Sequence, residues 1–159
     1  MHRPESHLTA DAVRDALARA VAVVGLAGFA LIHLLDLPDT MAGSQLIGWA
    51  YIAAIVGAVC VAGALVRTSD TRVWLAAGGL VSSVIVAYVL SRTTGIPQDG
   101  GDIGNWGQPL GIAMLFVGGS LLALTGSVLA GRVSPARRPA ARGWEPIALR
   151  VDDRRRAAA

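Results

Sequence analysis

The sequence predicts an all-α integral membrane protein, an antiparallel bundle of four helices. Hydrophobic residues occupy 53% of its 159 positions and charged residues only 16%. A water-soluble domain of this length needs more polar surface than this composition supplies. The apolar residues also fall into four long segments separated by short polar stretches. Each segment approaches the ~20 apolar residues that a helix needs to cross a bilayer.

The chain is predicted to divide into three parts. Residues 1–19 have helical spacing and precede the first apolar segment, as a cytoplasmic extension of it. Residues 132–159 are rich in Arg, Pro and Ala, a composition that predicts a disordered cytoplasmic tail. The transmembrane domain, residues 20–131, has predicted spans at residues 20–37, 46–66, 73–90 and 110–130.

The first span is a membrane helix rather than a cleaved signal peptide in this interpretation. Its leader is long and mixes Glu5, Asp11 and Asp15 with the arginines, which is atypical of a signal peptide. The stretch HLLDLPDTMAGS that follows also makes a poor small-residue cleavage site. All four spans are therefore expected to remain in the protein.

The distribution of arginine predicts the orientation, since cytoplasmic loops carry an excess of positive charge. Arginines precede span one, separate spans two and three and recur after span four, whereas the two other loops hold only Arg92. Both termini are therefore expected in the cytoplasm, with residues 36–45 and 91–109 outside the plasma membrane. The tail arginines suit anionic lipid headgroups, which we favour as their partner over nucleic acid.

Small residues recur every three or four positions in three spans, and such rows allow helices to approach closely. We expect them to pack within the chain rather than to form a dimer interface. The rows are Ala50, Ala54, Ala58 and Ala62 in span two, Ala76, Gly79, Ser83 and Ala87 in span three, and Gly119, Ala123 and Ser127 in span four.

The loop between spans three and four is predicted to be an ordered flap over the outer end of the bundle. A loop of about eighteen residues is uncommon unless it is functional or disordered. Its glycines fit consecutive turns, whereas Ile96 and Trp106 favour burial over disorder. Arg92 is the expected anchor of this flap.

Polar residues gather on the predicted outer face and form the candidate ligand-binding set. Asp36 and Arg92 are expected to pair and to clamp span one to span three, with His33 hydrogen-bonded to Tyr88 or Asp36. The full set is His33, Asp36, Tyr88, Arg92, Asp99, Asp102, Asn105 and Trp106.

No catalytic set, metal site or cofactor is predicted from these residues. The lone Cys60 excludes a disulfide or a thiolate metal cage, and His2 and His7 lie on the opposite side from His33, which argues against a bis-histidine haem. The outer aspartates do not have the spacing of an EF-hand. Neither a G-x-S-x-G elbow nor an acid–histidine–nucleophile set is present in the sequence.

The motif SRTTGIP, residues 91–97, resembles a group of small actinobacterial four-helix membrane proteins with a Ser-Arg-Thr-Thr-Gly-(Leu/Ile)-Pro loop signature. The following DIGNWGQPLG is similar to some members of this group. The resemblance covers mainly residues 88–119 and implies a histidine near the outer end of an early helix, which His33 matches. It also implies an acidic residue in the last helix, where Gly118 stands here. The group has no established activity.

The function expected from these features is that of a non-enzymatic accessory, sensing or binding module that uses its outer face. The alternative is a small oligomeric transporter, although transport normally requires an ionisable group at mid-membrane depth. A membrane enzyme using His33, Asp36 and Arg92 ranks third. A membrane-protein partner or a second copy of the chain fits the first two functions.

Overall fold

The computed structural model describes residues 5–95 and 102–133, and this part of the chain folds into four helices with no strand. All four helices are long and apolar enough to cross a membrane. Even the shortest, with 23 residues, extends about 35 Å at 1.5 Å per residue, longer than the ~30 Å hydrocarbon core. The prediction of an all-helical chain with four possible spans is confirmed. The helices are α1 (Glu5–Gly43), α2 (Gln45–Arg67), α3 (Thr71–Thr93) and α4 (Pro109–Val133).

The loop predicted at residues 36–45 is wrong, because α1 continues to Gly43 and only Ser44 separates it from α2. Pro38 lies inside α1; it removes one backbone hydrogen bond, a loss that membrane helices tolerate. The Ser44 hydroxyl caps α2 by accepting from the Ile47 N–H at 3.5 Å. Asp36 and Asp39 are therefore held in the last turns of a helix.

The four helices pack as a square. Each helix contacts its neighbours in the chain, and α1 also contacts α4. Within the described residues, α1 does not contact α3 and α2 does not contact α4. Helix α1 therefore lies diagonally across the bundle from α3.

The centre of the square is filled by large apolar side chains, while many others face outward as lipid-exposed groups do. Phe29, Leu65 and Trp74 have no exposed surface. In contrast, Phe116 is 76% exposed and Val24 is 72% exposed. Apolar side chains on the outer surface are expected when a bilayer, not water, surrounds the helices.

Two of the three small-residue rows do not serve the packing predicted for them. The residues of the α3 and α4 rows are all exposed, although Ala87 of α3 also lines a cavity at one end of the bundle, and in α2 only Ala54 and Ala58 are buried. Close approach is provided instead by Gly111 and Gly118, where an added Cβ would overlap or press on side chains of α3. Spacing alone did not indicate which face of each helix turns inward.

Polar side chains close the end of the bundle that holds the start of α1, the α2–α3 turn and the end of α4, here called the termini end. The Asp15 carboxylate accepts from the Ser69 hydroxyl at 3.0 Å and lies 3.5 Å from a guanidinium nitrogen of Arg132. Arg132 also donates to Ser69 at 2.8 Å and lies over the ring of buried Trp74. This network ties α1 and α4 to the turn between α2 and α3.

Candidate functional site

A cavity of about 730 Å³ lies at the opposite end of the bundle, here called the junction end. It is enclosed by the last turns of α1 and α3, the first turns of α2 and α4 and part of the α3–α4 connection. Most of its lining is apolar. The ionisable and amide side chains that line it are His33, Asp36, Asp39, Tyr51, Tyr88, Arg92, Asp102 and Gln108.

The cavity extends below the level of the helix ends. His33 lies ten residues before the end of α1 at Gly43, which places it about 15 Å along the axis from that end. Its side chain is only 3% exposed. A buried polar side chain at this depth costs free energy unless it is hydrogen-bonded, so its partners are informative.

His33 and Asp36 are held by separate partners. The Nδ1 of His33 donates to the Phe29 carbonyl oxygen at 2.8 Å, one turn earlier in α1. The Asp36 carboxylate accepts from the Tyr51 hydroxyl of α2 at 3.1 Å. The Tyr51 ring meets the His33 ring edge-on, with centroids 4.9 Å apart. Together these contacts fix a histidine and a carboxylate against one wall of the cavity.

Arg92 is the centre of the opposite wall and is only 5% exposed. One guanidinium nitrogen lies 2.6 Å from the Asp102 carboxylate and another donates to the Gln108 side-chain oxygen at 2.5 Å. The guanidinium also lies over the Tyr88 ring, 4.9 Å from its centroid, in cation–π geometry. Its backbone carbonyl accepts from the Gly104 N–H at 2.9 Å. Arg92 thus binds the described part of the α3–α4 connection to α3.

The predicted Asp36–Arg92 clamp is wrong. Asp36 bonds to Tyr51 and Arg92 pairs with Asp102, because the two residues belong to helices that face each other across the diagonal of the square. The hydrogen bond expected from His33 to Tyr88 or Asp36 is also absent among the described residues, since the imidazole bonds to its own helix.

The structure brings five of the eight candidate residues to the cavity: His33, Asp36, Tyr88, Arg92 and Asp102. Asn105 and Trp106 lie beside it instead. The Asn105 amide donates to Asp102 at 3.4 Å, and Trp106 meets the Tyr88 ring at 6.1 Å. Asp99 lies outside the described residues.

Two cavity residues escaped the sequence analysis, Tyr51 and Gln108. Tyr51 lies seven residues after Ser44, and Asp36 lies eight residues before Ser44. In a helical hairpin with a one-residue link, positions at nearly equal distances from the link lie side by side. Gln108 directly precedes the first residue of α4 and accepts the Ile112 N–H through its carbonyl at 3.1 Å. No sequence pattern marks its side chain as a partner of Arg92.

Among the described residues, no three His, Cys, Asp or Glu side chains are grouped closely enough to hold a metal ion. The His33 imidazole is oriented by a backbone carbonyl rather than by a carboxylate, which differs from the acid–histidine–nucleophile arrangement. The arrangement suits binding of a molecule with polar and apolar parts.

Comparison of the chain with protein-family models, with curated proteins and with solved structures finds no match.

Proposed function

We propose that this protein is a multi-pass plasma-membrane protein that acts as a non-enzymatic binding module, with its junction-end cavity open to the outside. In this proposal the four helices run antiparallel and both termini are cytoplasmic. The arginine distribution supports the orientation. The single residue between α1 and α2 and the three between α2 and α3 support the antiparallel arrangement.

The main support for the proposal is that the cavity contains buried ionisable side chains, whereas the rest of the bundle is apolar at membrane depth. The helices are otherwise apolar at membrane depth, yet the cavity lining includes buried His33 and Arg92 together with Asp36. Ionisable groups inside membrane helices are expensive and usually mark a binding or transport site. Mixed apolar and polar lining is typical of sites for small molecules.

Transport is the alternative, and the termini end argues against it. A transporter must open the other side of the bundle to release its substrate. At that end, Asp15 and Arg132 are linked through Ser69 across three elements. A module that binds from one side leaves this network intact.

Cysteine labelling in intact cells tests the proposal. Ala87 and Val89, two residues apart on α3, are both exposed, but Ala87 lines the cavity and Val89 does not. The two positions differ in depth by only about 3 Å. In a Cys60→Ala background, we expect a membrane-impermeant maleimide to label Ala87→Cys rapidly and Val89→Cys slowly, because only a thiol in water forms the reactive thiolate.

The orientation is tested by a third variant, Thr68→Cys, in the exposed turn between α2 and α3. We expect this cysteine to be labelled only after the cells are permeabilised. Labelling of Thr68→Cys but not Ala87→Cys in intact cells would reverse the proposed orientation. Equal, slow labelling of Ala87→Cys and Val89→Cys would contradict an open cavity.

A further inference from the structure

We propose that the junction-end cavity binds a protonated amine with an apolar body, its ammonium group held between Asp36 and His33. This inference rests on the proposed binding function, because it names the class of ligand for the same cavity. It follows from three features of the lining: its charge, its unused hydrogen-bond acceptors and its apolar walls.

The charge of the cavity lining is negative. Three carboxylates line it, from Asp36, Asp39 and Asp102, against the single guanidinium of Arg92. Arg92 is neutralised by Asp102 at 2.6 Å. Neither Asp36 nor Asp39 has a cationic partner among the described residues, so the lining favours a positively charged ligand.

The unused hydrogen-bonding capacity consists of acceptors. Because Nδ1 of His33 donates to the Phe29 carbonyl, the neutral imidazole leaves Nε2 as an acceptor. No described residue donates to Nε2, although His33 is only 3% exposed and lines the cavity. Among the described residues, Asp36 receives a single hydrogen bond, from Tyr51, and a carboxylate accepts several. An ammonium group supplies both the charge and the N–H donors that these atoms lack.

Two donors without partners do not argue for an anionic or carbonyl ligand. The Tyr88 hydroxyl and the Arg92 Nε have no hydrogen-bond partner in the part of the chain that the structure describes, but both atoms are buried within the protein. The Tyr88 hydroxyl lies directly against Gly111 of α4. A molecule in the cavity cannot reach either atom without moving a helix.

The walls around the acceptors require that the amine carry an apolar body. Ile32, Ile47, Val84 and Met114 line the cavity from all four helices, and Tyr51 adds an aromatic side chain to this lining. A bare metal ion would leave these walls unoccupied and would find fewer than three grouped ligands among the described residues.

A series of small ligands tests this inference on the unmodified protein. The full chain is placed in nanodiscs of neutral phosphatidylcholine, and binding is measured by isothermal titration calorimetry at pH 7. The probe is 4-phenylbutylamine, whose amine is protonated at this pH; 4-phenylbutanol and 4-phenylbutyrate have the same apolar body without the positive charge. We expect the amine to bind roughly tenfold or more tightly than either control.

Variants then locate the ammonium group. Asp36→Asn retains an acceptor for Tyr51 and removes the charge, and we expect a loss of roughly tenfold to a hundredfold in amine affinity. Asp39→Asn is the matched control, three residues away and exposed; water screens its charge, and we expect a loss of less than about threefold.

His33→Phe separates hydrogen bonding from packing. The Phe ring keeps the ring contacts with Phe29 and Tyr51 but removes the Nε2 acceptor. We expect about tenfold weaker binding of 4-phenylbutylamine and unchanged binding of its trimethylammonium analogue, which has no N–H. A merely structural role for His33 would weaken both ligands equally.

Equal affinity for the amine and the alcohol, or full amine binding by Asp36→Asn, would overturn the inference. Tighter binding of 4-phenylbutyrate would also overturn it, because it would show an anion site. If the amine does not bind while Ala87→Cys is still labelled from outside, the inference fails and the open outward cavity stands. If both results are negative, the proposed function fails as well.

Discussion

Each end of the bundle contains an Asp–Arg ion pair, but the surroundings of the two pairs differ. At the termini end, Asp15 and Arg132 meet each other and Ser69 in a network whose two charged side chains are 35% and 27% exposed. At the junction end, Arg92 is 5% exposed and pairs with Asp102, while Asp36 and His33 line a cavity of about 730 Å³. Polar groups link the elements at one end, and at the other end they line a cavity.

The two ends differ in whether their polar groups use all of their hydrogen-bonding capacity, and this difference indicates where a ligand would bind. At the termini end, the Asp15 carboxylate and the Ser69 hydroxyl bond to each other and to Arg132. At the junction end, Asp36 and His33 keep acceptor capacity that no described residue uses. Buried polar groups with spare capacity are costly, so their retention points to a ligand rather than to stability.

The largest loss of stability is expected when the ion pair at the junction end is broken, with the ion pair at the termini end as the comparison. Arg92→Met leaves Asp102 and Gln108 without their buried partner and should lower the free energy of unfolding by about 3 kcal/mol. Arg132→Met removes a partly exposed arginine and should cost at most about 1 kcal/mol. Unfolding in mixed SDS micelles, followed by tryptophan fluorescence, measures both. Equal losses would remove the distinction between the two ends.

A smaller loss of stability is expected from a substitution at Gly111, where α4 approaches α3 at the cavity. In Gly111→Ala the new Cβ would lie 2.7 Å from Cε2 of Tyr88, and overpacking of this kind costs about 1–3 kcal/mol. Gly119→Ala on the same helix meets nothing within 4 Å and is the control. We expect it to leave the unfolding midpoint unchanged or slightly raised, since alanine favours the helix. A stable Gly111→Ala variant would show that α3 and α4 are not in contact there.

The smallest effect comes from two hydroxyl deletions within the cavity. Tyr51→Phe removes the hydrogen bond to Asp36 and should cost about 1 kcal/mol. Tyr88→Phe removes a buried hydroxyl that has no partner among the described residues and should be neutral or stabilising. The same unfolding measurement compares them. The reverse order would mean that the Tyr88 hydroxyl is bonded and that the Asp36–Tyr51 contact is not.

Much of the fold was predictable because hydropathy marks membrane helices directly. The extent of α1 was not, since Pro38 and the neighbouring aspartates have the composition of a loop. At this junction Ser44 caps the start of α2, and Gly48 leaves room for the Met41 side chain between the two helices. The Gly48–Met41 contact joins two helices, and local composition does not encode it.

The site was predictable in location but not in pairing. Helical spacing correctly placed His33, Asp36 and Arg92 near the same end of the bundle. It did not indicate that α1 and α3 lie on a diagonal, so Asp36 and Arg92 were expected to meet. Asp36 of α1 instead bonds to Tyr51 of the adjacent helix α2. Arg92 of α3 bonds to Gln108, which directly precedes the adjacent helix α4.

The central claim is that the junction-end cavity is open to the outside and selects an amine, and one measurement tests it most directly. This is the rate at which an impermeant maleimide labels Ala87→Cys in intact cells, with and without 4-phenylbutylamine. We predict rapid labelling that slows as the amine occupies the cavity, and no slowing when Asp36→Asn is added. Labelling that requires permeabilised cells, or that the amine leaves unchanged, would contradict the claim.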